Sequence, residues 1–108
     1  MKLTDLQPRF YSHGGEGISD ASGNPVPERV GMGLIFSCPC GCPSDVAVPF
    51  SNPLDGKPSG RECGPAWERT GETFDTMTLA PSILRVHPER YGCKGWHGFV
   101  RNGEIITV

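Results

Sequence analysis

The stretch that decides the fold is Gly31 to Phe50, "GMGLIFSCPCGCPSDVAVPF". Its first part, residues 31–38, is a short apolar run flanked by glycines, which reads as a buried strand ending at Cys38. Its last part, residues 45–50, alternates so that Val46, Val48 and Phe50 share one face, the pattern of a returning strand. Between them lies Cys38-Pro39-Cys40-Gly41-Cys42-Pro43. The expectation is a hairpin that carries three thiols at its tip.

Working outward, the C-terminal segment "HGFVRNGEIITV" (97–108) places Asn102-Gly103 between two apolar runs. Both residues tolerate the positive φ of a type I′ turn, so a second hairpin is expected there. Residues 66–70 and 73–79 flank Gly71-Glu72, which reads as a third turn. The inward face of 73–79 is undecided, because Phe74, Thr76 and Thr78 oppose Asp75, Met77 and Leu79. Residues 80–86 read as extended, since Pro81 excludes a helix interior and Ile83, Leu84 and Val86 are strand formers. The first eleven residues read as a lead-in anchored by Leu3, Leu6 and Phe10. Segments 12–30 and 51–65 are loops by composition.

The totals agree with such a fold. The chain has 108 residues, which suits one domain. Apolar content is 36%, with 15 Gly and 11 Pro, so short strands and many turns are favoured over a thick core. The net charge of −2 comes without a basic run, which argues against nucleic acid as a partner. No apolar stretch spans a membrane and the first residues show no apolar signal core, so the cytoplasm is the expected compartment. Five cysteines, an odd number in that compartment, do not suggest a disulfide framework.

Thiols in two clusters suggest a metal instead. Cys93 and His97 stand four positions apart, about fifty residues after the first group. Two local chelates joined by a long insert are how structural zinc sites are commonly assembled. The expected ligands are Cys38, Cys40, Cys93 and His97, with Cys42 as the alternative to Cys40. Soft thiolates plus imidazole suit Zn2+, with iron as competitor. Cys63 is expected to be unliganded. Ser82, in "PSIL", lacks a Gly-x-Ser-x-Gly elbow, which argues against a nucleophile, and no catalytic residue is assigned. His13 and His87 are expected on the surface. Trp67 and Trp96 are expected in the core or as cover for the ion.

"MKLTDLQPRF", "IFSCPCGCP", "TLAPSI" and "CKGWHGFVRNGEI" in this order resemble a family of small phage and bacterial proteins sometimes labelled ammonia monooxygenase. That label does not fit so small a chain without membrane spans. The resemblance implies zinc binding, frequent phage origin, and protein partners, since some relatives accompany ubiquitin-like conjugation genes. It supplies no reaction. Pro43 departs from the glycine that relatives often carry there, and some relatives bring the last cysteine and histidine one residue closer.

The resulting expectation is a single mainly β domain over 1–108, of short antiparallel hairpins in a partly open barrel or sandwich, clipped by one structural zinc. Its expected role is a binding module, an accessory protein of a phage or mobile element contacting a host protein. The alternative is a small zinc hydrolase or deaminase-like enzyme with an open metal position.

Overall fold

A computed structural model describes residues 1–59, 64–85 and 92–108. After a 3-10 turn at Leu3–Leu6, the described residues form eight strands: β1 (Arg9–His13), β2 (Arg29–Ser37), β3 (Asp45–Pro49), β4 (Glu68–Thr70), β5 (Thr78–Ala80), β6 (Ile83–Arg85), β7 (Trp96–Arg101) and β8 (Glu104–Thr107). They form three small antiparallel sheets, ordered β1-β2-β3, β4-β5 and β6-β7-β8. Among the described residues the sheets do not close into a barrel.

The hairpin expected from residues 31–50 is β2-β3, with Leu34 opposite Val48 and Phe36 opposite Val46. Cross-strand partners share a face, and all four side chains are buried. β1 adds to the other edge of β2, so the lead-in is a strand as well as an anchor. Leu3 and Leu6 are buried as expected, and Phe10 packs against the core.

The C-terminal hairpin forms on its expected turn. Asn102 and Gly103 have φ of 48° and 76°. A β-carbon on Gly103 would lie 2.3 Å from the Asp75 carbonyl oxygen, so the position needs glycine for space as well as conformation. The Gly103 N–H donates to the Met77 carbonyl and the Asn102 N–H to Thr78 Oγ1, tying the turn to the start of β5.

The third turn is longer than Gly71-Glu72. Thr70 pairs with Thr78, so residues 71–77 form the connection. Its inward face is settled by Met77 and Leu79, both buried. Within segment 12–30, Asp20 Oδ1 accepts from the N–H groups of Ser22 and Asn24, each at 2.9 Å, closing a tight local turn.

One contiguous core joins the three sheets. It contains Leu34, Phe36, Val48, Phe50, Met77, Leu79, Ile83, Trp96 and Val100, together with Cys38 and Cys93. The Phe36 and Trp96 rings meet edge to face, which locks β2 against β7. Among the described residues no helix is long and apolar enough to cross a membrane.

Candidate functional site: a thiol quartet and a serine–histidine pair

The quartet is built at the β2-β3 tip. Strand β2 ends by delivering Cys38 into the core. The chain then reverses: Gly41 N–H donates to the Cys38 carbonyl, and Cys38 N–H donates to the Ser44 carbonyl. Gly41 has φ of 90°, which lets Cys40 and Cys42 curl back towards Cys38. Cys93 comes from the segment before β7. All four sulfurs lie within 4.8 Å of one another.

The spacing suits a metal. A tetrahedron with metal–sulfur bonds of ~2.3 Å has sulfur–sulfur edges of about 3.8 Å. Here Cys38 to Cys40 is 3.4 Å, Cys40 to Cys93 is 3.6 Å and Cys38 to Cys93 is 3.8 Å. All four cysteines are free thiols. Backbone amides also point at the sulfurs. Gly95 N–H lies 3.4 Å from Cys93 Sγ.

The environment splits the thiols. Burial pushes Cys38 up to about 12. Cys40 is held at about 6, first by hydrogen bonds from the Lys94 and Cys42 backbone. Ser44, whose Oγ is 2.9 Å from Cys42 Sγ, lowers Cys42. Arg85 on β6 lies against the group. Burial opposes its charge, but the Cys93 sulfur and the neighbouring thiolates outweigh this and raise its pKa. Its guanidinium donates to the Asp45 carbonyl at 2.7 Å and to Ser44 Oγ. A tetrathiolate centre is net negative, so this cation complements it.

His97, expected as the fourth ligand, is not in this group; Cys42 stands with Cys38, Cys40 and Cys93 instead. The reason is strand geometry. Residues 96–101 form β7, where successive side chains point to opposite faces. Trp96, Gly98 and Val100 turn inward, leaving His97, Phe99 and Arg101 on the outer face. Cys63 and His87 lie outside the described residues. His13 is exposed, as expected.

On that outer face His97 meets Ser82. Leu84 is the cross-strand partner of His97, and Ile83 of Gly98. One more step along this register sets Ser82 opposite Phe99, diagonal to His97. His97 Nε2 lies 3.2 Å from Ser82 Oγ, within hydrogen-bonding distance. His97 is exposed and Ser82 half-buried, so the pair is open to solvent. Among the described residues no carboxylate bonds the other ring nitrogen, which makes this a pair rather than a triad.

The serine is held from behind. The Trp67 indole N–H donates to the Ser82 carbonyl at 3.2 Å. Trp96, the neighbour of His97 on β7, is buried on the opposite face, its indole N–H donating to Thr107 Oγ1 at 3.0 Å. A β-carbon on Gly98 would meet the Ile106 carbonyl oxygen of β8 and lie 2.5 Å from the Trp96 ring, so glycine there leaves room for both. Both tryptophans therefore support the two strands that carry the pair.

No elbow surrounds Ser82, which in sequence argues against a nucleophile. That motif belongs to one strand-to-helix architecture, whereas a serine–histidine pair is defined by geometry on any fold. The signal in the sequence is weak: a serine just before one short strand and a histidine within another.

The same site can be described by its two depressions. One opens at Ser82 and is bordered by Pro81, Phe99 and Arg101; its volume is about 380 Å3. The other opens at His97 and is bordered by Leu84, Lys94 and Val108; its volume is about 510 Å3.

No curated protein and no solved structure matches the chain. A family model does match it, over residues 19–108, including all four quartet cysteines, Ser82 and His97. By that match the chain belongs to the family described as bacterial ubiquitination-like system serine protease (BubE).

Proposed function

We propose that this protein is a serine peptidase of a bacterial ubiquitination-like system, with Ser82 as nucleophile and His97 as general base. The observation that carries this is the 3.2 Å contact between Ser82 Oγ and His97 Nε2 on an open sheet face. The family description supports it.

The chemistry follows from that contact. For His97 to accept a proton at Nε2, its neutral ring carries hydrogen on Nδ1. Ser82 Oγ attacks the carbonyl carbon of an amide; the C–O bond forms as the hydroxyl proton passes to Nε2. The tetrahedral species then expels the amine, which takes that proton from His97, leaving an acyl ester on Ser82. Water, deprotonated by the same nitrogen, attacks the ester carbon; Ser82 Oγ departs, takes that proton back from His97 and releases the acid.

Cys38, Cys40, Cys42 and Cys93 would hold a structural Zn2+. Four thiols complete a closed tetrahedral shell, which does not suit the open position of a zinc hydrolase. The ion would supply stability, and hydrolysis would belong to the serine. Four thiolates also accommodate iron, so the expected metal analysis is one zinc per chain in a colourless solution.

A fluorophosphonate probe tests the catalytic assignment. Its phosphorus bonds to Oγ as fluoride leaves, giving one adduct per chain at Ser82. Ser82→Ala is expected to abolish labelling, and His97→Ala to slow it by at least about a hundredfold, both with melting temperature unchanged. Equal labelling of wild type and Ser82→Ala overturns the assignment. It would leave the expected binding module, with a protein partner in the cytoplasm, as the reading of this surface.

A further inference from the structure

The Ser82–His97 pair lies between two depressions, and the direction of the reaction distinguishes them. The attacked carbonyl must approach Ser82, while the departing nitrogen must come within reach of His97 to be protonated. The scissile bond therefore points from the serine side to the histidine side. The depression lined by Ser82 but not His97 receives the acyl part; the one lined by His97 but not Ser82 receives the leaving part.

The acyl-side depression holds a cation available for binding. Arg101 follows Phe99 on the outer face of β7, and its guanidinium lies 4.1 Å from the Phe99 ring centroid. That contact folds the arginine back over the ring, towards the position opposite Ser82. Glu104 is its cross-strand partner at the turn, yet the two make no ion pair. The guanidinium is thus fixed by stacking, with its N–H donors unfilled by any described carboxylate. Stacked arginine keeps its planar fork for a carboxylate.

Resting on the peptidase reading, we propose that this depression is the acyl-side subsite for an extended polypeptide. In it, Arg101 on its Phe99 platform selects a substrate side chain bearing a carboxylate. The apolar rim of Leu84 and Val108 on the other side, both well exposed, receives the leaving segment. Specificity for the acyl residue is therefore electrostatic, and for the leaving segment hydrophobic.

The test uses the full-length, metal-loaded protein and peptidyl diphenyl phosphonates that differ only in the acyl-side residue: glutamate, leucine or lysine. Ser82 Oγ bonds to phosphorus and phenol departs, so intact mass gives each rate without a natural substrate. A charge-assisted contact predicts glutamate faster than lysine by about tenfold or more. Arg101→Glu should reverse that order, Arg101→Gln should abolish it, and Arg101→Lys should retain part of it. Leucine fastest in every variant, or a ratio unmoved by Arg101→Glu, overturns the subsite while fluorophosphonate labelling still supports the peptidase. Loss of fluorophosphonate labelling at Ser82 in wild type instead overturns the peptidase reading, and the subsite with it. A circular-dichroism melt of each variant that matches wild type establishes that it is folded.

Discussion

Removing the metal should both unfold the protein and silence its serine. The quartet joins residues 38–42 at the β2-β3 tip to Cys93, just before β7. Arg85 ties the same tip to β6 through Asp45 and Ser44. Ser82 lies just before β6 and His97 lies on β7, so both strands of the pair are clamped at one end by the quartet. A structural zinc contributes apparently ~10–16 kcal/mol of folding free energy in small systems. A domain of this size is stable by only ~5–15 kcal/mol. Even a third of the zinc contribution, about 4 kcal/mol, would lower the melting temperature by roughly 15–30 °C, at about 4–8 °C per kcal/mol.

The assay is a thermal melt by circular dichroism beside fluorophosphonate labelling, with and without a strong chelator under reducing conditions. We expect melting temperature and labelling to fall together and to return on adding zinc. Cys93→Ser should reproduce the loss without chelator. Protein stripped to less than about one-tenth of a metal per chain, yet melting and labelling as before, would refute the reasoning.

Two further outcomes follow from the fold. Gly103→Ala places a β-carbon against the Asp75 carbonyl at positive φ. The left-handed conformation alone costs ~1–2 kcal/mol, so the melting temperature should fall by about 5–15 °C, read by calorimetry. Asp55 is held down to about 2, first by its hydrogen bonds from Arg29, at 2.8 and 3.0 Å. A depressed carboxyl stabilises the fold above its unfolded value, 3.8, and that stability is lost as pH falls through about 2. Urea midpoints measured from pH 5 to pH 2 should therefore fall less steeply in Asp55→Asn than in wild type.

Local structure is legible in the residues alone. Alternating Val46, Val48 and Phe50 can bury one face only as a strand, and the glycines around residues 31–38 bound its partner. Asn102-Gly103 forces a type I′ turn because few other pairs accept two positive φ values. Three thiols spaced so closely, with a fourth far along the chain, point to a possible metal site, and the structure brings these four sulfurs within 4.8 Å of one another. Which thiol completes the quartet, and that Ser82 meets His97, follow only from the tertiary structure. Spacing places Cys93 and His97 four residues apart but does not reveal that a strand begins at Trp96. That strand turns His97 away from the quartet, while Gly41 lets Cys42 curl in. Ser82 and His97 are fifteen residues apart, and nothing local links them. They meet because Leu84 pairs with His97 in the β6-β7 register, and a shift of one residue would send either side chain to the opposite face.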